Sequence, residues 1–166
     1  GLGCYDLRYC PLKHVDANYT CLTNNGGNIR CDDNGFVALL SLDSPELSGI
    51  VPSELALLQH LTYLAAFENR ISGTIPSELG VLQHLTLLLL ARTELNGTIP
   101  SELAALHNLK YLNLYGNKLS GMIPSELSQL RAMTLLYLLI NELSGTLPSE
   151  LGMCQQLQDL RLSTNS

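Results

Sequence analysis

The sequence predicts an α/β solenoid, in which equal units coil and stack behind a short N-terminal cap. The segment Gly-x-(Ile/Val/Leu)-Pro-Ser-Glu-Leu recurs every 24 residues, beginning at Gly49, Gly73, Gly97, Gly121 and Gly145. Apolar columns keep the same register through all of these copies, and four of the five cysteines lie within the first 31 residues. One unit is too small to bury its own core, so the units are expected to stack.

Four apolar columns mark the inward side of each unit. Two of them stand two residues apart, and this alternation predicts a short strand with one buried face. A third lies two residues before each repeat glycine, and the fourth lies in the predicted helical turn. In this order the columns are Leu40, Leu64, Leu88, Leu112, Leu136, Leu160; Leu42, Ala66, Leu90, Leu114, Leu138, Leu162; Leu47, Ile71, Leu95, Leu119, Leu143; and Leu58, Leu82, Leu106, Leu130, Cys154.

The residues after each strand predict a bend and a short helical turn. In one unit, Gly121 supplies the backbone freedom that a bend requires. Pro124 cannot continue a β ladder but suits the start of a helix. Ser125 and Glu126 are residue types that a helix N-terminus favours, and Leu127 is placed to point inward. Each coil is therefore expected to contain a strand, a bend and a helical return.

A column rich in asparagine ends the predicted strands, and the Asn117 side chain is expected to bond backbone groups in its turn. Pro45 and Thr93 interrupt this column. The unit from Leu109 to Leu130, which reads Leu-x-x-Leu-x-Leu-x-x-Asn-x-Leu-Ser-Gly-x-Ile-Pro-x-x-Leu-x-x-Leu, resembles the plant-type leucine-rich repeat. Repeats of that type form the ectodomains of plant receptor kinases and the polygalacturonase-inhibiting proteins.

The resemblance covers about residues 21–166, with five full copies and part of a sixth. It implies a right-handed leucine-rich-repeat coil with a parallel sheet on the concave side, a second, shorter sheet, and short helical turns on the convex side. It also implies a disulfide-stapled N-terminal cap. We place the cap at residues 1–36 and the repeats at residues 37–166.

The cap carries Cys4, Cys10, Cys21 and Cys31. A clustered, even set of cysteines indicates disulfides formed in an oxidising compartment. A zinc site is the alternative, although no Cys-x-x-Cys pair occurs. The residues alone permit more than one pairing; the resemblance implies Cys21 with Cys31, which leaves Cys4 with Cys10. Cys154 falls in an inward column, where packing as a small apolar side chain is expected rather than reactivity.

Composition excludes several classes of function. The net charge is −6 and no basic cluster is present, whereas nucleic-acid binding needs Lys and Arg to neutralise phosphates. Apolar runs such as Leu87–Ala91 are too short to span a bilayer, so no membrane segment is expected in this chain. No catalytic motif stands apart from the repeat. We therefore expect no enzyme activity, no cofactor and no bound metal.

The candidate partner-binding residues occupy the outward positions of the predicted strands. These positions are apolar and aromatic where a wet surface is expected, and neighbouring strands lie only ~4.8 Å apart. A contiguous patch of this kind usually marks an interface, and tyrosine is common at binding hot spots. The alternative is that strand propensity alone favours such residues. The candidates are Tyr63, Phe67, Leu87, Leu89, Tyr111, Tyr115, Leu135, Tyr137 and Leu139.

Two repeated polar columns have simpler alternatives to a binding role. A column of glutamates could attract cations or a basic partner, but each carboxylate could equally be solvated on its own turn. His60 and His84 occupy equivalent positions and could bind a metal or respond to pH; exposed polar positions explain them as well. The glutamates are Glu54, Glu78, Glu102, Glu126 and Glu150.

Asn18 and Asn96 begin Asn-x-Thr triplets, which predict N-linked glycans. A glycan on Asn96 would shield a flank and leave the concave face free. Together with the cysteines, the triplets predict an extracellular or secreted protein, or the ectodomain of a longer, anchored protein. No capping repeat follows the strand of Leu160 and Leu162, so we expect further protein or another molecule to cover this edge.

Two functions follow from these patterns. The first is a non-catalytic, extracellular interaction module that binds a protein, peptide or glycan through its apolar concave face. The alternative is a self-assembling structural glycoprotein that forms filaments or oligomers through the concave face and the uncapped C-terminal end. Both leave the same nine residues as the candidate contacts, and the partner is either a different molecule or another copy of the chain.

Overall fold

The computed structural model describes residues 29–42 and 45–165, which form twelve β-strands and five 3-10 helices. The strands are β1 (Ile29–Cys31), β2 (Val37–Ser41), β3 (Ser48–Ile50), β4 (Tyr63–Phe67), β5 (Arg70–Gly73), β6 (Leu87–Ala91), β7 (Glu94–Gly97), β8 (Tyr111–Asn113), β9 (Lys118–Gly121), β10 (Leu135–Tyr137), β11 (Glu142–Leu143) and β12 (Asp159–Arg161). The helices are η1 (Ser53–Leu57), η2 (Ser77–Val81), η3 (Ser101–Ala105), η4 (Ser125–Gln129) and η5 (Ser149–Met153). None of the helices in these ranges has the length and apolar character needed to cross a membrane.

Two sheets run along the stack of units. The larger has the order β1-β2-β4-β6-β8-β10-β12, and all its pairs are parallel except the β1–β2 hairpin. The smaller has the order β3-β5-β7-β9-β11 and is parallel throughout. Leu88 pairs with Leu112, and Leu112 with Leu136, so the parallel strands of the larger sheet pair in the register of the sequence repeat. In the smaller sheet the register is shifted from the repeat, since Ser72 pairs with Glu94. The expected parallel sheet and its shorter companion are both present; the outward side of the larger sheet is called the concave face below.

The core is built from the inward columns. Leu88 and Leu112 of the larger sheet are fully buried, as is Leu127 of η4, because units on both sides cover them. Coverage falls at the ends of the described stack, where Leu40 is 7% exposed and Leu160 is 37% exposed. The hydrophobic effect therefore binds each unit to its neighbours, and no unit is a separate core.

The asparagine column ties the turns of neighbouring units together. The Asn141 side-chain amide donates to the carbonyl oxygens of Leu114, one unit back, and Leu138, at 2.9 and 3.1 Å. Its Oδ1 accepts the Leu119 N–H at 3.1 Å. Asn117 makes the same set of bonds, which confirms the predicted role of its side chain. Each buried amide thus satisfies backbone groups that the strands leave unpaired.

The predicted helical turns are present, but in the described residues they are 3-10 helices and not α-helices. The turn before η4 confirms the bend at Gly121, where φ is +77°. Pro124 is extended, and its carbonyl accepts the Leu127 N–H at 3.2 Å, which closes the tighter ring of a 3-10 helix. The predicted hydroxyl cap is wrong. Ser125 donates to its neighbour Glu126 at 3.4 Å, and no side chain caps the helix.

In addition to the β1–β2 pairing, the turn of the cap contacts the repeats through Asp32 and Phe36. Oδ1 of Asp32 accepts the N–H groups of Asn34 and Phe36 at 2.9 and 3.0 Å. Its Oδ2 lies 2.9 Å from Nδ1 of His60, and the Phe36 ring stacks on the His60 ring with 4.1 Å between centroids. The backbone hydrogen bond from Phe36 is the main reason that the Asp32 pKa lies below its ordinary value.

The remaining predictions for the cap stand as predictions. Cys4, Cys10 and Cys21 lie outside the described residues, as does Asn18. Cys31 lies at the end of β1 and is not a free thiol. The boundary predicted after residue 36 falls in the turn between β1 and β2.

Candidate functional site

The structure places the nine candidate residues on the concave face, on or directly after four consecutive parallel strands. One row crosses the strands from Tyr63 to Leu87, Tyr111 and Leu135, each paired with the next. Leu89 and Tyr137 lie in a second row, on either side of Asn113. The third row consists of Phe67 at the end of β4, Tyr115 after β8 and Leu139 after β10. The predicted rows are thus brought together as adjacent side chains.

None of the nine candidates is buried. Phe67 and Tyr111 are each 39% exposed, and the other seven are half-buried. The hydroxyls of Tyr63, Tyr111 and Tyr115 form no hydrogen bond with any described residue. Their hydrogen-bonding partners must therefore come from solvent or from a bound molecule. The face therefore offers neutral donors and acceptors set among leucine side chains.

Two other outward positions do not join this surface. Ala65 is 2% exposed and Ala91 is fully buried, although the alternation predicted both to face solvent. Ala65 lies between Tyr63 and Phe67 on β4 and pairs with Leu89. A single methyl group does not reach past such large neighbours, so these neighbours cover it. The exposed patch therefore does not include these two alanines.

A polar cluster that the sequence pattern does not predict lies at the C-terminal end of the concave face. Arg161 bonds both carboxylate oxygens of Asp159, with Nη2 at 3.0 Å from Oδ2, and its guanidinium lies 4.6 Å from the centroid of the Tyr137 ring. The Tyr137 hydroxyl donates to the same carboxylate. Arg161, and next Tyr137, lower the pKa of Asp159 by bonding its charged form. The Tyr137 hydroxyl belongs to this cluster because of the rotamer of its side chain, which the sequence pattern does not specify.

A row of left-handed residues forms the rim where the concave strands end. The N–H groups of its first four members each bond a carbonyl of the next unit; the Ile140 N–H, for example, lies 3.0 Å from the Ser163 oxygen. These bonds hold the backbone in a conformation that a β-branched side chain disfavours. Ile140 is nevertheless 45% exposed there. The row is Glu68 (φ +52°), Arg92 (+53°), Gly116 (+68°), Ile140 (+53°) and Thr164 (+60°).

The charges of this rim are paired within the protein. Arg92 Nη1 lies 3.3 Å from Glu68 Oε1, and both side chains are more than half exposed. The Asp159–Arg161 pair likewise joins two opposite charges of the concave face. An exposed pair of this kind contributes little to stability.

The repeated glutamates and histidines differ in their surroundings. All five glutamates are exposed, and each accepts a hydrogen bond from the serine before it, at 3.3–3.5 Å. His60 contacts Asp32 and Phe36, and its ring centroid is 6.1 Å from that of His84. No group of His, Cys, Asp and Glu in the described ranges could hold a metal ion. Cys154 is 4% exposed, and burial raises the pKa of its thiol.

Asn96 is exposed on β7, in the smaller sheet and away from the concave face, where the sequence predicted it. Serines occupy the equivalent position in neighbouring units. Ser72 and Ser120 donate from their hydroxyls to the carbonyl oxygens of Gly49 and Gly97. Asn96 makes no such bond to a described residue, so its amide is free for modification.

The repeats of this chain match those of known proteins. Residues 108–130 match the family model of the Leucine Rich Repeat. The ectodomain structure of the BIR3–SERK2 complex from Arabidopsis thaliana is 32% identical, with a TM-score of 0.75, over 93% of this chain and 86% of that one. The chain belongs to the plant-type leucine-rich-repeat family. No curated protein matches it.

This leucine-rich-repeat chain is also similar to parts of longer receptors. The structure of the plant peptide hormone receptor RGFR1 in complex with RGF2 is 38% identical over 72% of this chain, with a TM-score of 0.72. The PEPR1–AtPEP1 structure is 42% identical over 76% of this chain, with a TM-score of 0.74. The chain spans only 19% and 18% of the length of these two receptors.

Proposed function

We propose that this chain is a non-catalytic, extracellular interaction module that recognises a protein or peptide through its concave face. The supporting observation is the alignment of nine apolar and aromatic residues, none of them buried, on or directly after strands β4, β6, β8 and β10. A contiguous exposed patch of this composition is usually covered by a partner in the working state of a protein.

The similar structures support the class of partner. RGFR1 is in complex with RGF2, and PEPR1 with AtPEP1, while BIR3 is in complex with SERK2. Peptides and other proteins are therefore what chains of this fold take as partners in those structures. For this chain we propose a peptide or protein segment in the same class, because the central strands of its concave face, β6, β8 and β10, carry no charged residue.

The extracellular location rests on the cap and on the flank. We propose the disulfide pairs Cys4–Cys10 and Cys21–Cys31, and N-linked glycans on Asn18 and Asn96. The exposure of Asn96 on the smaller sheet supports its modification. Mass spectrometry of the protein secreted by eukaryotic cells tests both points: non-reducing peptide maps identify the pairs, and glycosidase release leaves aspartate at each occupied site.

The central experiment compares matched substitutions on the two sides of the coil. Peptides and extracellular domains are first screened on the immobilised full chain, and binders are then measured against two variants. One variant carries Tyr111→Ser and Tyr115→Ser on the concave face. The control carries Leu57→Ser and Val81→Ser on the convex helices, where the side chains are 73% and 50% exposed. We expect the concave variant to lose binding and the control to keep it.

Two outcomes would contradict the proposal. Equal binding by the concave variant and the unaltered chain would remove the concave face from consideration. Regular filaments or oligomers, seen by negative-stain electron microscopy and abolished by the same concave substitutions, would favour the structural alternative in which the partner is another copy. Thermal unfolding of both variants controls for loss of fold.

A further inference from the structure

Asn113 lies at the centre of the concave face and is absent from the nine candidates that the apolar pattern selects. It pairs with Leu89 on β6 and with Tyr137 on β10. Its own strand, β8, and the two neighbouring strands, β6 and β10, carry no charged residue. Asn113 is thus a half-buried polar side chain in a neutral, apolar part of the surface.

The orientation of the Asn113 amide is fixed by its own turn. Its Oδ1 accepts the Tyr115 N–H at 3.1 Å, and only an oxygen can fill that role. Nδ2 therefore points away from this bond, and it donates to none of the described residues. A donor held in one direction has already lost much of the rotational freedom that binding would otherwise cost.

The surroundings leave this donor open. The Tyr137 hydroxyl is bonded to Asp159 on β12, so its ring leans away from β8. On the other sides stand the Tyr111 and Tyr115 hydroxyls, which have no partner among the described residues. The centre of the face thus combines one oriented N–H₂ group with two adjustable phenols.

Charge decides which acceptor fits. Glu68 with Arg92 and Asp159 with Arg161 form ion pairs, and the exposed Arg30 lies four strands away from β8, on β1. A carboxylate or ammonium group brought to Asn113 would lose its hydration without gaining a counter-charge, which is costly. A neutral carbonyl oxygen loses little, and its bond to Nδ2 is strengthened by the apolar surroundings.

We propose that Asn113 is the polar anchor of the concave face and donates to a backbone carbonyl of an extended, uncharged peptide segment. Tyr111 and Tyr115 flank that carbonyl and supply the apolar contact on either side. This inference rests on the proposed function, since it names the partner chemistry of the same face. It assigns specificity to the one central residue that is neither apolar nor charged.

The test uses a displayed library of random linear peptides, selected on the full immobilised chain. Enriched peptides are synthesised and measured against Asn113→Asp, which keeps an oxygen for the Tyr115 N–H and so keeps the turn, but loses the donor. We expect affinity to fall roughly tenfold or more, as for loss of one hydrogen bond with an unpaired acceptor left behind. Gln129→Glu introduces the same charge at an exposed position at the end of η4 and is expected to leave affinity unchanged.

A second measurement locates the carbonyl. Each backbone amide of the peptide is replaced in turn by an ester, whose carbonyl is a weaker acceptor. One replacement should weaken binding to the unaltered chain and have no further effect on Asn113→Ala, which is the signature of a direct bond in a double-mutant cycle.

The outcomes separate this inference from the function on which it rests. If Asn113→Asp keeps full affinity while Tyr111→Ser loses it, the anchor is wrong and the concave face stands. If neither substitution changes affinity, the proposed binding face itself is wrong. Enrichment of charged peptides, or of no peptide at all, would overturn the assignment of an uncharged extended segment.

Discussion

The Thr93 hydroxyl donates a hydrogen bond to Oδ1 of Asn117, one unit further along the chain. The same oxygen accepts the Leu95 N–H at 3.1 Å. One unit earlier, the equivalent N–H belongs to Ile71, and by the same pattern it would bond an asparagine at position 93. Because position 93 is a threonine, the Ile71 N–H bonds Oδ1 of Asn69 instead, at 3.1 Å. Thr93 therefore takes part in the asparagine column through its hydroxyl, and in the described residues no buried side-chain nitrogen or oxygen is left without a partner.

Thr93→Val removes this hydroxyl at nearly constant volume. We expect the free energy of unfolding to fall by about 1 kcal/mol, because the bond is buried and water cannot replace it. Chemical denaturation measures the change. The control is Thr86→Val, where the lost hydroxyl bonds the Thr62 carbonyl at 2.9 Å near solvent, so water compensates. Equal losses in the two variants would show that burial of the Thr93 bond is irrelevant.

Ile140→Gly should stabilise the chain. The left-handed backbone conformation is unfavourable by about 1–2 kcal/mol for a residue with a side chain. Glycine removes this strain, but it loses more conformational entropy on folding, which offsets about 0.5–1 kcal/mol of the gain. The expected net gain is therefore about 0.5–1 kcal/mol, again measured by denaturation.

Gly116→Ala is the reverse experiment in the same row of the rim. Gly116 has φ of +68°, and an added Cβ would lie 3.3 Å from Cγ of Arg92. We expect this variant to lose about 1–2 kcal/mol. A loss of stability in Ile140→Gly would mean that the contacts of the Ile140 side chain outweigh its backbone strain.

The contact between the cap and the repeats should weaken in acid. The Asp32 pKa is lowered from its ordinary value of 3.8, mainly by the Phe36 N–H bond. A carboxyl group whose folded pKa is depressed stabilises the fold above its unfolded pKa, and this contribution is lost as pH falls through the folded pKa. We expect amide protons of the 32–36 turn to lose protection below about pH 4, and not between pH 5 and 7.

Asp32→Asn is the control for this pH dependence. The amide oxygen still accepts the N–H groups of Asn34 and Phe36, but it does not titrate in acid. Hydrogen exchange in the turn should then be insensitive to this acid step. Unchanged acid sensitivity in Asp32→Asn would assign the effect to another group.

The repeat made most of the fold predictable, because an interval of 24 residues without insertion fixes the register of every strand. The pairing of Leu88 with Leu112 could be read directly from the columns. The type of helix could not be read from the sequence. In a helix of five residues, a 3-10 turn and an α turn differ only in whether the N–H bonds the carbonyl three or four residues earlier. Ser125 was accordingly expected to cap a helix whose first ring is closed by Pro124.

The candidate face was predictable only in outline. Alternation placed Tyr111 and Tyr137 on one side of the sheet, but it treats every outward position alike. It could not distinguish a free phenol from one bonded to Asp159, since that difference depends on rotamers. Nor could it foresee that larger neighbours cover Ala65. A pattern in the chain specifies which side a residue faces, and packing decides how far it reaches.

The link between Tyr137 and Asp159 gives a spectroscopic test of this packing. The Tyr137 pKa is raised above its ordinary value of 10.0, first because the phenol donates to Asp159 and second because of desolvation, while Arg161 acts in the opposite direction. Asp159→Asn removes the carboxylate and leaves the nearby guanidinium. The Tyr137 pKa should therefore fall, and its phenolate should form at lower pH than in the unaltered chain.

Ultraviolet absorbance follows this titration, and Tyr137→Phe identifies the share of the signal that comes from Tyr137. Asp33→Asn is the control, because it makes the same change of charge in the cap turn. If the Tyr137 titration is the same in Asp159→Asn and Asp33→Asn, the Tyr137 hydroxyl does not bond the Asp159 carboxylate. Tyr137 would then join Tyr63, Tyr111 and Tyr115 as a phenol without a partner on the concave face.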